Sequence, residues 1–341
     1  MSDVIRVGVV GVGHLGSQHA RLYSEIAKRS NGQCNFVGVF DTDNIKVRAL
    51  TEKVGGGTFE TAEELANFVD AVSVATPTET HCEVARIFLK RGRHVLVEKP
   101  ITNSVRDAEE LVTLASKNGC VFQVGHVERF NPVMRYLNEV LAEARFIEVH
   151  RLSPYPGRST DIGVVLDLMI HDLDVVLSLV KSSLAAFDAV GIPVLSATED
   201  IANARLKFAN GCVANITASR VSAEKMRKIR IFGRTEHGAA YISLDYMKQE
   251  GELYRVAAED AQESGLLKKW LVGKHANIVS EFAGKKIVRE PVPIERDEPL
   301  KLELQHFIES VRLRRQPLVS GEAAKQALEV AMEITEQIRK A

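Results

Sequence analysis

The sequence predicts an α/β domain with a parallel, doubly wound sheet, followed by an α+β domain with a large, open, mostly antiparallel sheet. Three observations predict it. Short apolar runs rich in β-branched residues alternate with amphipathic stretches over residues 1–125. A GxGxxG turn directly follows the first run. Beyond residue 125, strand pattern follows strand pattern with few helices between. A chain of 341 residues suits about two domains.

Residues 4–10 are rich in β-branched apolar side chains, interrupted by Arg6 and Gly8, and read as a buried strand. Residues 14–30 carry helical spacing, 35–40 read as a strand and 45–53 as a helix. Gly55, Gly56 and Gly57 then break the chain. Helical patterns at 63–68, 81–91 and 105–118 alternate with strand patterns at 71–75, 94–97 and 121–124. Strands joined by helices of this length pair in parallel, through right-handed crossovers.

The second half differs. A helix at 132–142 leads to a strand at 146–152, then to a loop holding Pro154, Tyr155, Pro156 and Gly157. A strongly apolar helix follows at 164–180. Strand patterns come next at 187–194, 201–208, 212–220, 227–233 and 239–244. Asn210 and Gly211 sit between two of them, a hairpin signal. Residues 257–286, with Lys268, Lys269, Trp270 and Leu271, read as a solvated insertion. Helical periodicity returns at 301–313 and 322–338. The predicted domains are therefore 1–125, 126–320 and a C-terminal helix at 321–341.

Lys plus Arg total 44 and Asp plus Glu 45, a net charge of −1. That balance gives no electrostatic reason to expect a nucleic-acid partner. Cys34, Cys82, Cys120 and Cys212 lie far apart and make no metal-type spacing, so no metal is expected. They read as reduced core residues of a reducing compartment. No signal peptide pattern opens the chain, and no apolar run is long enough to span a membrane. The expected location is cytoplasmic, with no membrane partner.

Gly11, Gly13 and Gly16 form the GxGxxG turn between a strand and a helix. In that context the first Gly permits the tight turn and the second admits a pyrophosphate. The third lets strand and helix pack closely. Asp41 stands where the second strand ends. It either accepts a hydrogen bond from a ribose 2′-hydroxyl or caps the next helix. Asp41, Thr42, Asp43 and Asn44 include no cation for a 2′-phosphate, so NAD is expected rather than NADP.

Lys99 follows the fourth predicted strand and precedes Pro100, which ends that strand. It is a crevice lysine or a plain surface one. Asp167 and His171 lie four apart in the apolar helix, on one helical face. They read as an oriented base, a satisfied core histidine or a metal pair lacking a third ligand. Residues 125–132 open the second domain as a ligand loop or an ordinary linker.

Together these motifs resemble the glucose-fructose oxidoreductase, inositol dehydrogenase and MocA (Gfo/Idh/MocA) family over nearly the whole chain. The resemblance rests on the glycine turn, on Ala75, Thr76, Pro77 and Thr78 with His81, on Glu98, Lys99 and Pro100, and on Asp167 with His171. It implies a Rossmann domain, a cis bond before Pro100, and hydride transfer between a sugar or cyclitol carbon and nicotinamide. It implies catalysis by Lys99, Asp167 and His171. It implies NAD contacts at Gly11, Gly13, His14, Leu15, Asp41, Ala75, Thr76, Pro77, His81, Glu98 and Lys99. Residues 125–132 and 164–172 look most like one subgroup, which oxidises UDP-N-acetylglucosamine at C-3 ahead of an aminotransferase, in lipid A precursor synthesis. Substrate contacts are then expected at His126, Arg129, Asn131, Arg151 and Arg158, the arginines facing the diphosphate. Inositol or a free sugar is an alternative substrate, and a non-catalytic NAD-binding regulator an alternative role. Apolar strands 201–208 and 212–220 on an uncovered sheet face predict a homodimer or homotetramer.

Overall fold

The computed structural model describes residues 4–30, 32–155, 162–256, 277–282 and 285–341. They divide into two compact units. One holds residues 1–130 with 298–329, the other 131–297 with 330–341.

The first unit is built on a six-stranded sheet. Its strands are β1 (Ile5–Val10), β2 (Cys34–Phe40), β3 (Gly57–Thr58), β4 (Ala71–Val74), β5 (His94–Glu98) and β6 (Phe122–Gly125). The spatial order is β3-β2-β1-β4-β5-β6, and every pairing is parallel. The chain runs outward from β1 to β3, then returns beside β1 as β4, so the order reverses between those two strands. In open parallel sheets that switch point is where ligands bind. The strand Gly57–Thr58 lies in the stretch read from sequence as a glycine break. Gly38 accommodates it, since a Cβ there would lie 2.1 Å from the Gly57 carbonyl oxygen.

Connecting helices are α1 (His14–Arg29), α2 (Asn44–Val54), α3 (Ala62–Ala66), α4 (Thr78–Leu89) and α5 (Val105–Lys117). Asp43, Thr61 and Ser104 cap α2, α3 and α5 by accepting backbone N–H bonds. The helix Pro299–Leu313 also belongs to this unit. Its Leu304, Phe307, Ile308 and Val311 share one core with Val7, Val9, Leu22, Tyr23 and Leu96. The sequence boundary placed residues 299–313 in the second domain. Apolar spacing alone does not reveal which sheet a helix covers.

Among the described residues, the second unit contains α6 (Pro132–Val140), β7 (Glu143–Leu152), a π-helix (Val165–Met169), α7 (Ile170–Leu179) and strands β8 (Leu184–Ile192), β9 (Ile201–Phe208), β10 (Val213–Ser219), β11 (Met226–Thr235), β12 (Gly238–Asp245), β13 (Glu250–Val256), β14 (Asn277–Phe282) and β15 (Lys285–Pro291). The nine strands run β14-β15-β13-β12-β11-β7-β10-β9-β8, antiparallel except for β10 beside β7. Three strands went unread in the sequence: β13 (Glu250–Val256), β14 (Asn277–Phe282) and β15. β13 and β15 carry many charges, which obscure the alternation, and lie next to one another beside the edge strand β14. Thus part of the expected insertion at 257–286 is sheet, while 257–276 lies outside the described residues.

One sheet face forms the core. Ala204, Leu206, Ala214, Ile216, Ile229 and Ile242 are buried, together with Ile170, Leu173 and Val176 of α7. Hence the apolar residues of β9 (Ile201–Phe208) and β10 (Val213–Ser219) face inward. Their other face carries Asn203, Arg205, Asn215 and Thr217, around a cavity of about 400 Å³. This corrects the expectation of an apolar outer face on these strands. The outward aromatics lie elsewhere, as a row of Phe146, Phe232, Tyr241 and Tyr254 with centroids 5.9, 4.6 and 5.3 Å apart.

Candidate active site

The turn between β1 and α1 is shaped by its glycines. Gly11 has φ of 88°, and a Cβ there would lie 2.6 Å from the Ala75 carbonyl oxygen. A Cβ at Gly16 would lie 1.8 Å from the Gly11 carbonyl oxygen. These two are therefore needed for packing. Gly13 is different, because a Cβ there would meet no protein atom within 4 Å. Gly13 is the N-cap of α1, and no side chain caps that helix. An exposed glycine before an uncapped helix start fits a phosphate approaching the backbone. His14 and Leu15 are exposed in the same first turn.

Asp41, just past β2, accepts from the Val12 backbone N–H at 2.6 Å and from Asp43 N–H at 2.9 Å. The cap of α2 is Asp43, so the capping alternative for Asp41 falls away. Lys46 is paired with Asp43 at 3.0 Å. Ala75, Thr76 and Pro77 follow β4, and Pro77 leads into α4. Glu98 ends β5, Lys99 is half-buried after it, and the Lys99–Pro100 bond is cis, as the resemblance implies. Four strand ends thus bring these residues to one edge of the sheet.

Glu98 and His81 sit behind that edge. His19 Nε2 lies 3.0 Å from Glu98 Oε1, and both side chains are buried. Burial pushes the Glu98 carboxyl up, but the His19 hydrogen bond and charge outweigh it and hold it below the usual range. His81 is 1% exposed, and both ring nitrogens face backbone carbonyls. Burial pushes its pKa down. Both side chains are buried and bonded to protein groups. The histidine at position 19 escaped the sequence reading, since a buried helical histidine leaves no local signal.

In the second unit, Asp167 lies in the π-helix and His171 in the first turn of α7, both half-buried. The sequence predicted one continuous α-helix. A π-turn inserts a residue into the helical repeat, often at a functional site. The carbonyl and carboxylate of Glu199 accept from Val164 N–H at 2.9 Å and Val165 N–H at 3.3 Å, securing the helix start.

The expected substrate residues meet different partners. His126 is buried, and Arg129 donates to the Leu318 carbonyl at 3.3 Å. Asn131 caps α6 by accepting from Val133 N–H and donates to the Tyr246 carbonyl, so its side chain secures the start of that helix. Arg151, 2% exposed, holds Asp172 through two bonds of 2.8 and 2.9 Å. Both are buried, so Arg151 serves the fold rather than a diphosphate. Arg158 lies outside the described residues. Cys82, Asp107 and Glu110 bring ligand atoms within 4.8 Å, but Arg86 donates to Cys82 Sγ and to Glu110.

A switch-point glycine turn on a parallel sheet, with a second unit on a large mixed sheet, defines a two-domain NAD(P)-binding oxidoreductase. Residues 5–126 match a model described as "Oxidoreductase family, NAD-binding Rossmann fold", and 139–237 match the GFO/IDH/MocA C-terminal domain. The chain belongs to the Gfo/Idh/MocA oxidoreductase family. It is 32% identical to UDP-N-acetylglucosamine 3-dehydrogenase of Acidithiobacillus ferrooxidans, over 97% of this chain and 96% of that one. A solved structure of that enzyme superposes with a TM-score of 0.86 at 31% identity, covering 98% of both chains. The chain is also 25% identical to scyllo-inositol 2-dehydrogenase (NAD(+)) of Bacillus subtilis, over 99% of this chain and 95% of that one. Among the described residues no helix is long and apolar enough to cross a membrane.

Proposed function

We propose that the chain oxidises the C-3 hydroxyl of UDP-N-acetylglucosamine to a 3-keto sugar, with NAD as cofactor. The observation that carries this is 32% identity, across nearly the full length of both chains, to an enzyme of that name. Asp41 on the Val12 N–H supports NAD over NADP, since it sets a carboxylate where a 2′-phosphate would need a cation. The proposed cofactor contacts are Gly11, Gly13, His14, Leu15, Asp41, Ala75, Thr76, Pro77 and Lys99.

Bound NAD⁺ supplies the hydride acceptor. As hydride leaves C-3, a base must take the hydroxyl proton, or the forming carbonyl oxygen would carry an unstable charge. That base is His171, oriented by Asp167, or Lys99. If Lys99 keeps its proton, it stabilises the developing alkoxide instead. Single-turnover rates against pH for Lys99→Met and His171→Asn separate these roles. Each variant is expected to lose about 100-fold or more. Wild-type rates in both would discard the assignment. Arg129 and Arg158 are proposed for the diphosphate.

The test of substrate is direct. Purified protein is incubated with NAD⁺ and UDP-N-acetylglucosamine, and in parallel with inositol and free sugars. NADH absorbance and product mass are recorded, with a glutamate-dependent aminotransferase added to draw off the keto sugar. Loss of two hydrogens from the UDP-sugar alone supports the proposal. Turnover of inositol alone would leave a cyclitol dehydrogenase, the reading that the 25% identical Bacillus enzyme favours.

A further inference from the structure

Two buried histidines, from two different helices, hold the residues on either side of Lys99. On one side is Glu98. His19 in α1 lies with Nε2 3.0 Å from Glu98 Oε1. A carboxylate only accepts, so Nε2 carries the proton and donates. The other carboxylate oxygen accepts the Lys99 backbone N–H at 3.3 Å. Gly125 in β6 leaves room for this carboxylate, since a Cβ there would lie 2.8 Å from Glu98 Oε2.

On the other side is Pro100. His81 in α4 sets Nδ1 2.9 Å from the Pro100 carbonyl oxygen and Nε2 2.9 Å from that of Thr76. Carbonyls only accept, so a neutral ring with one N–H donates to one of them at a time. Either way the ring spans the loop after β4 and the loop after β5.

These helices share a second property. α1 begins directly after the glycine turn, and α4 begins directly after Thr76 and Pro77. Both turns belong to the proposed cofactor cradle. The helices that would receive the cofactor at their first turns therefore hold the chain beside Lys99 within their first two turns, His19 through the Glu98 carboxylate and His81 through the Pro100 carbonyl.

We propose that His19 and His81 are positioning residues for Lys99, coupling its placement to the two cofactor turns. This rests on the role given to Lys99 above. A lysine that meets a reacting oxygen must be placed within a fraction of an ångström. Both chain neighbours of Lys99 are held by rings that are themselves buried.

The experiment pairs kinetics with a readout that needs no turnover. His19→Met and His81→Met remove the donors at similar volume, and His19→Gln keeps an N–H near the Nε2 position. The Met variants are expected to lose about 10- to 100-fold in kcat. Their KM for NAD should stay within about twofold, as expected when binding is left intact. His19→Gln should recover most of the rate. Separately, acetic anhydride labelling of Lys99 is followed by peptide mass spectrometry, with and without NAD. NAD should slow labelling in the wild type, and that difference should shrink in the Met variants although NAD still binds.

Wild-type kcat and labelling in the Met variants would overturn the clamp while leaving the dehydrogenase reading intact. A wild-type protein that oxidises no sugar would sink that reading, and the labelling arm would then judge the clamp alone. If the Met variants lose a cooperative melt, His19→Gln is compared with His19→Asn, whose amide is too short to reach Glu98. Equal NAD-dependent labelling in those two overturns the proposal.

Discussion

His94 opens β5 with its ring turned inward and 8% exposed. Its Nδ1 accepts the Val121 backbone N–H at 2.8 Å, a bond that only the unprotonated nitrogen can make. Burial, and next the Arg314 charge, push its pKa from 6.5 down to about 4. The unfolded chain therefore takes up the proton first on acidification. The stabilisation is complete above about pH 6.5 and is lost as pH falls towards and through 4, up to about 3 kcal/mol. A His94→Gln variant keeps an acceptor for Val121 and does not titrate. Urea midpoints at neutral and acidic pH should fall more steeply for the wild type than for the variant, and parallel lines would refute the assignment. Asp41 carries a second expectation. Asp41→Ala should weaken NAD binding by about 10-fold or more while affecting NADP less. Fluorescence titration with both nucleotides checks it, and equal losses would remove Asp41 from the choice of cofactor.

The turn from β1 into α1 separates two kinds of glycine. Gly16→Ala would drive a Cβ into the Gly11 carbonyl oxygen at 1.8 Å, which the backbone must move to relieve. That variant is expected to melt at lower temperature as well as lose the cofactor. Gly13→Ala meets no protein atom, so its melting temperature should stay close to that of the wild type. Its NAD affinity should nevertheless fall, because the methyl group would stand where the backbone is approached. Calorimetry and titration on the two variants test this contrast, and unchanged affinity in Gly13→Ala would contradict it. The pattern of spacings was enough to find this turn, since GxGxxG between a strand and a helix is a local feature. The motif reading assigned Gly11 to the turn, Gly13 to a pyrophosphate and Gly16 to packing, and the Cβ distances at Gly11 and Gly16 are those of a packing requirement. The helix carrying Asp167 and His171 was visible as an apolar run, but its π-turn was not. One extra residue shifts the helical phase, but in a run filled by Val, Leu, Met and Ile that shift leaves no visible break.

Across the two units, the sequence located the switch between sheets near residue 125 and the change from alternating to consecutive strands. It misjudged which helix covers which sheet, and it left the charged strands β13 and β15 and the edge strand β14 unread. The outer sheet face is the clearest example. Its polar cavity on β9 and β10 was expected to be apolar, while the aromatic row through Phe146, Phe232, Tyr241 and Tyr254 was not anticipated. Phe232 is 42% exposed there. We propose a homo-oligomer formed on this row, because exposed aromatic surface favours association. Phe232→Lys should reduce the sedimentation mass at micromolar concentration, and a wild-type monomer would refute the proposal. Periodicity and short motifs were sufficient for the two sheet types, the glycine turn, Lys99 at a strand end and the Asp167 and His171 spacing. Each of those depends on neighbours a few residues apart. The pairing of Arg151 with Asp172, the grip of His19 on Glu98, the span of His81 from Thr76 to Pro100 and the placement of residues 299–313 emerged only on folding. Most of these bring together residues far apart in the chain, and such contacts leave no trace in local spacing.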